Sequence, residues 1–324
     1  MKPILEGINI KKYFQVSGGF LSKSSSYVRA VDGVNISIYP SEVLALVGES
    51  GSGKSTLGRV LIGISKPTEG KVLFNGKDIY FLKGDEKIKV RHSLQIIFQN
   101  PDSSLNPRMQ VLDILGEAVK EKNPELSRIE VIEHIIKLLE AVGLNPDHIY
   151  KYPHELSGGE KQRIAIARAL AMEPKVIVAD EPVSALDVSI RAQILNLLMD
   201  IQRKLKLSML FIAHDLGIVW NISDKVAVMY LGKIVEYADT EELFENPLHP
   251  YTMILLSSAP ILSSNFKKFN LKPRGEPPSP INPPSGCRFH TRCPFAKDKC
   301  KGVDAKLIKV SNNHYTACPF YTNL

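Results

Sequence analysis

Short apolar runs punctuate the chain at regular intervals. The stretches "EVLALV" (42–47), "KVIVAD" (175–180) and "SMLFIAH" (208–214) are of strand length. Runs of that kind predict strands buried on both faces. The first stops at a glycine cluster, and a helix-like segment follows. Near the start, "ILEGINIKKYF" alternates apolar and polar positions and predicts a further strand, while "QVSGGFLSKSSS" reads as a loop. "KVAVMYLGKIVEY" (225–237) predicts a hairpin with Gly232 at its turn. Strands alternating with helices imply an α/β fold with a parallel sheet covered on both faces.

Between Asn100 and Ser157 the period changes. "VLDILGEAVKEK" and "SRIEVIEHIIKLLEAVG" carry helical spacing. Ser127 and Glu130 form an S-x-x-E capping box, and Gly143 suits the C-terminal cap. This predicts a helical insert over about 100–158. Beyond residue 258 the texture shifts again. "KPRGEPPSPINPP" (272–284) holds six prolines. The expected layout is a main domain over 1–258, a stiff linker over 259–286 and a small tail over 287–324.

With 324 residues, 44% of them hydrophobic, the chain can bury a good core and two domains. No apolar stretch is long enough to span a membrane, and "MKPILEGINIKKYF" does not read as a secretory signal. A cytoplasmic setting is expected, where thiols stay reduced. The net charge of +7 hints at nucleic acid, but its distribution argues against it. From Asn265 onward there are eleven Lys/Arg against three Asp/Glu, so residues 1–264 sum to −1.

"GESGSGKST" matches G-x-x-x-x-G-K-[ST] directly after a predicted strand. It comprises Gly48, Glu49, Ser50, Gly51, Ser52, Gly53, Lys54, Ser55 and Thr56. Glycines let the backbone curl so that successive N–H groups point at phosphates, and the following helix N-terminus adds its dipole. Lys54 supplies a cation for the β and γ phosphates, and the Ser55 hydroxyl is a Mg²⁺ ligand. Asp180 ends the buried run "VIVAD", where an unpaired carboxylate is costly; pairing with Mg²⁺ resolves that cost. Glu181 follows and is suited to orient, or take a proton from, an attacking water.

"LSGGEKQRIAIARAL" (156–170), "DEPVSALD" (180–187) and "FIAHD" (211–215) together resemble the signatures of the ATP-binding-cassette (ABC) family. The likeness runs from about residue 4 to 258. "HPYT", "SGCRF", "RCP" and "PSPINPP" narrow it to the ATPase subunits of bacterial dipeptide and oligopeptide importers. That resemblance implies a P-loop nucleotide-binding domain with a parallel-sheet core, an antiparallel β subdomain and the helical insert, followed by a cysteine-rich extension. It implies ATP and Mg²⁺ as ligands and a head-to-tail pair of ATPase chains, identical or not. In that pair Ser157, Gly158 and Gly159 of one chain face the Lys54 loop of the other. By the same likeness Gln99 reaches Mg²⁺ and the attacking water, His214 contacts the γ-phosphate, and Asp187 couples the two sites. Tyr13 fits the aromatic that stacks on adenine, with Phe14 as the alternative. One departure is Glu160, where the signature often has Gln; an added negative charge near ATP would weaken nucleotide contact modestly, but the change is expected to be tolerated because the glycines and the serine do the phosphate work. Two membrane permeases are the implied partners, with an extracytoplasmic peptide-binding protein acting indirectly, at the cytoplasmic face of the membrane. Residues around 100–110 would receive the permease. A soluble cassette protein acting on ribosomes or DNA, and a metal-sensing ATPase, are rival readings.

Cys287, Cys293, Cys300 and Cys318 are all the cysteines of the chain. Their spacings are not C-x₂-C pairs. Four thiolates suit a [4Fe–4S] cluster, with Zn²⁺, disulfides and unliganded thiols as alternatives. Some importer ATPases that this tail resembles carry such a cluster. His290 and His314 are spare ligand candidates. The basic tail would offset the cluster's negative charge.

Overall fold

The computed structural model describes residues 2–16, 26–258, 269–302 and 305–323. The loop expected at 15–26 and the start of the linker therefore fall largely outside the described residues. The chain divides into two compact units. One gathers residues 1–38, 42–80 and 211–324, and the other residues 39–41 and 81–210.

In the first unit, an antiparallel sheet takes the strands in the order Ser26–Ile38, Leu5–Val16, Glu69–Phe74, Lys77–Asp78. Tyr13 sits opposite Arg29, and Lys11 opposite Asp32, with register shifts between Ile10 and Tyr13. A second run of strands begins with Val43–Val47, which pairs in parallel with Lys225–Tyr230. Every residue of Val43–Val47 is buried, as a continuous apolar strand covered on both faces requires. Lys225–Tyr230 forms the expected hairpin with Lys233–Asp239. Leu231 and Gly232 both have positive φ, 42° and 80°, the geometry of a tight hairpin turn.

The tail extends this sheet. Tyr315–Thr316 pairs with Glu236 and Tyr237, and Ile308–Lys309 pairs with Tyr315–Thr316 in turn. The apolar content of the sequence gives no sign of these two-residue strands. The expected appendage is thus built onto the edge strand Lys233–Asp239. Residues 269–284 carry no regular secondary structure, in keeping with their prolines.

In the second unit, Leu94–Ile97 and Val176–Asp180 pair in parallel. Helices Val111–Lys122 and Arg128–Ala141 occupy the expected insert. Both halves of the Ser127–Glu130 capping box are formed. Gly143 has φ of 71°, and the Leu144 N–H donates to the Leu139 carbonyl, closing the helix end. Helices Gly158–Leu170 and Val188–Leu205 complete this unit's longer elements. Strand Ser208–Ala213 crosses the division between the units. None of the described helices is long and apolar enough to cross a membrane.

Candidate functional site

In the first unit the strand Val43–Val47 runs into the glycine loop, and the helix Lys54–Leu61 leaves it. Two glycines are fixed by sterics. A Cβ on Gly48 would lie 2.1 Å from the Met229 carbonyl oxygen, and one on Gly53 would lie 2.0 Å from that of Ala30. Gly53 also has φ of 105°, a region side chains avoid. Lys54 curls back, its Nζ donating to the carbonyls of Gly48 (2.8 Å) and Glu49 (3.0 Å). The Ser52 hydroxyl is buried and has no hydrogen-bond partner among the described residues. A narrow backbone cradle, a folded-in ammonium and an orphaned donor are what a phosphate group would satisfy. Ser55 and Thr56 open the helix, partly exposed.

Tyr13 is partly buried on the antiparallel sheet. Its hydroxyl donates to Asp32 Oδ1 at 2.5 Å, and its N–H donates to Thr68 Oγ1 at 3.0 Å. Burial and the Asp32 hydrogen bond push its phenol up to about 12. Phe14 is exposed, with Lys12 Nζ 5.1 Å from its ring centroid. His214 stands exposed just past the strand Ser208–Ala213.

In the second unit Asp180 is buried at the end of Val176–Asp180. Glu181 follows with φ of 48°, a strained conformation for a non-glycine residue. Gln99, just beyond Leu94–Ile97, donates from Nε2 to Glu181 Oε2 at 2.8 Å. Residues 82 positions apart are thereby joined. Ser157 is the exposed N-cap of Gly158–Leu170. A Cβ on Gly159 would come within 2.7 Å of Ile190 Cγ2, so a side chain there would force Ile190 to shift. Asp187 is exposed at the N-cap of Val188–Leu205.

Glu160 is absorbed locally. It accepts from the Ser157 N–H and hydroxyl, both at 2.8 Å, and stands 2.9 Å from His148 Nε2. The His148 contact, then the Ser157 backbone bond, hold its carboxyl down at about 2.

The four cysteines of the tail line one pocket with Phe289, His290, Phe295, Phe320 and His249. Burial pushes Cys293 and Cys318 up to about 11 and raises Cys287 as well. Among the described residues no three His, Cys, Asp or Glu side chains are arranged to hold a metal ion. Of the spare ligand candidates, His290 lines the pocket, but His314 does not. His314 is buried against Glu236 (2.7 Å) and faces Glu242 (3.3 Å). His249 was not singled out by the sequence, although it lies in the quoted "HPYT"; burial keeps it neutral, down at about 3.

Both arginines of the cysteine segment end on carboxylates of the first unit. Arg288 pairs with Asp32, and Arg292 Nη1 contacts both carboxylate oxygens of Glu49, at 2.8 and 3.0 Å. No composition or periodicity signals such contacts.

Residues 31–184 match the ABC transporter family model, and residues 235–300 match the oligopeptide/dipeptide transporter C-terminal region. The oligopeptide transport ATP-binding protein AppF of Bacillus subtilis is 49% identical, over 98% of each chain. OppF of Salmonella typhimurium, also an oligopeptide transport ATP-binding protein, is 48% identical, covering 98% of this chain and 96% of its own. Among solved structures, cbiO1 from Clostridium perfringens, part of an ABC transporter complex, aligns with a TM-score of 0.62 at 32% identity. It covers 75% of this chain and 91% of its own. The dimeric, ADP- and phosphate-bound cassette MJ0796 aligns with a TM-score of 0.64 at 27% identity, over 73% and 98%. With family models matching residues 31–184 and 235–300 and peptide-transport relatives matching along nearly the full length, the chain belongs to the ATP-binding proteins of the oligopeptide and dipeptide ABC transporters.

Proposed function

We propose that this chain is the ATP-hydrolysing motor subunit of a bacterial importer for dipeptides or oligopeptides, seated at the cytoplasmic face of the cell membrane. The observation that carries this is the near full-length likeness to peptide-transport ATP-binding proteins, tail included. Residues 1–258 act as the cassette, 259–286 as linker and 287–324 as the cysteine-bearing extension. Two such chains, identical or sister subunits, close on ATP, and the closure is passed to two membrane permeases; a peptide-binding protein outside the membrane supplies the cargo. No nucleic acid is involved.

Within each half-site, residues 48–56 cradle the phosphates through backbone N–H groups, and Lys54 swings from its carbonyls onto the β and γ phosphates. Ser55, Asp180 and Gln99 would hold Mg²⁺, which supplies charge neutralisation for the transferred phosphoryl group. Glu181 accepts the proton of the attacking water, and Gln99 holds the Glu181 carboxylate in place for it. His214 meets the γ-phosphate, Tyr13 stacks on adenine, and the partner chain presents its Ser157–Gly159 turn. Asp187 links the two halves. Replacing Glu181 with Gln is expected to lower hydrolysis by about 10²–10⁴-fold while ATP binding persists. Undiminished turnover would remove Glu181 from the role of base.

For the tail, the finer reading is a [4Fe–4S] cluster held by Cys287, Cys293, Cys300 and Cys318. Its support is that all four thiols share one apolar pocket. Around a single zinc ion four sulfurs must come within roughly 3.8 Å of one another, whereas a cubane spreads them more widely. Anaerobic purification with metal and sulfide analysis tests it. About four irons per chain is expected, and a colourless protein with one zinc overturns it.

A further inference from the structure

Two arginines of the cysteine segment reach the nucleotide half-site of the same chain. Arg288 directly follows Cys287, and Arg292 directly precedes Cys293. Both are about nineteen-twentieths buried, at 6% exposure each. Between them Phe289 is 1% exposed and packs on Tyr230 and Tyr251, with ring centroids 5.2 Å apart in each case. The spacing of the two arginines is therefore locked by the core.

Each ends on a different part of the nucleotide half-site. Arg292 grips both oxygens of Glu49, the second residue of the phosphate loop. Tyr251 holds the same residue from the backbone side, its hydroxyl accepting the Glu49 N–H at 2.8 Å. Arg288 pairs with Asp32 Oδ2, while Asp32 Oδ1 takes the Tyr13 hydroxyl. Burial acts to raise the Asp32 carboxyl, but Tyr13 and Arg288 outweigh it and hold it below its usual range.

The chemistry makes these links consequential. A free carboxylate in a loop built to receive three phosphates repels them. A phenol at the adenine position needs a fixed ring plane to stack. We propose that Arg292 and Arg288 are positioning residues for ATP: Arg292 neutralises and turns aside the Glu49 carboxylate, and Arg288 sets Tyr13 through Asp32. The cysteine pocket then governs nucleotide affinity, because Cys287 and Cys293 are chain neighbours of these arginines. This rests on the nucleotide reading given above.

The test is equilibrium binding of ATP and of inorganic tripolyphosphate to the full chain, with thermal unfolding recorded alongside. Arg292→Gln should weaken both ligands by about three- to tenfold. Adding Glu49→Gln to it should recover most of the loss, since the uncompensated charge is then gone. Arg288→Gln should weaken ATP and leave tripolyphosphate unchanged. Cys287→Ser with Cys293→Ser should weaken ATP in the same sense. A wild-type chain that binds no ATP overturns the nucleotide reading itself. A wild type that binds, beside an Arg292→Gln variant of equal affinity, overturns only this inference. If Arg292→Gln fails to fold, Arg292→Met decides: it keeps an unbranched side chain but carries no charge, so the affinity for both ligands should fall, and an unchanged value sinks the proposal.

Discussion

The glycine loop and the cysteine segment belong to the same compact unit, yet they are specified in opposite ways. Along 48–56, shape is a backbone property. Gly48 and Gly53 are needed because the Met229 and Ala30 carbonyls leave no room for a Cβ. The cysteine segment works through side chains at long range, with Arg292 and Glu49 separated by 243 positions and Arg288 and Asp32 by 256. At Gly48 and Gly53 the backbone-made cradle tolerates no added atom, but it depends on few partners. A side-chain-made link tolerates conservative change but fails when either partner's fold loosens.

The sharpest way to break this contrast is a single methyl group. Gly53→Ala puts a Cβ 2.0 Å from a carbonyl oxygen at φ of 105°. Backbone strain costs about 1–3 kcal/mol before the clash is counted. ATP binding should be lost outright in equilibrium titration, and wild-type affinity would show that the cradle is not fixed by its backbone. Next in size is Phe289→Ala. Removing a buried aromatic ring costs roughly 3–5 kcal/mol, seen as an earlier denaturation midpoint. Because Tyr251 loses its packing partner, ATP affinity should fall with it; a tail that frays alone, with affinity unchanged, would separate the two regions again.

A milder effect comes from the edge where the tail joins the sheet. His314 and Glu236 are both buried there, and Glu236 also accepts the N–H groups of Leu248 and His249. Burial disfavours the charged imidazole, but Glu236 and then Glu242 outweigh it and raise the group above its ordinary 6.5. A raised histidine stabilises fully below its unfolded value and loses that contribution as pH rises through the folded one. Melting temperature should therefore decline as pH rises above the ordinary histidine value of 6.5, and His314→Gln should flatten the slope.

What could be read from the sequence follows the same division. The strands at 43–47, 176–180 and 208–213 were legible because continuous apolar runs bounded by polar residues permit little else. The capping box at Ser127 and the Gly143 helix stop were legible because capping is local. The loop pattern, Asp180 and Glu181 are likewise short-range signals. The family resemblance placed Gln99 at Mg²⁺ and the attacking water, but its pairing with Glu181 was not legible, since the 81 residues between them carry no trace of it. The tail strands, the two arginine links and the burial of His314 were illegible. A two-residue strand has no periodicity, and an ion pair between distant segments leaves no pattern in either.

Glu160 lies between the two cases and provides the smallest and most discriminating test. Its capping bonds to Ser157 are local, but its third partner, His148, comes from outside the motif. The sequence suggests a stray negative charge near ATP. In the fold, that charge is spent on Ser157 and His148, and the carboxyl is held down at about 2 against an ordinary 4.5. A depressed carboxylate stabilises above its unfolded value and loses that contribution as pH falls through the folded one. Glu160→Gln keeps one acceptor for the Ser157 N–H and loses the charge. The expected cost is about 0.5–1 kcal/mol, with turnover at neutral pH changed by less than about threefold and the stability difference narrowing below about pH 4. A large gain in ATP affinity would show instead that the carboxylate does repel nucleotide, and that a local motif can mislead where its neighbours are not read.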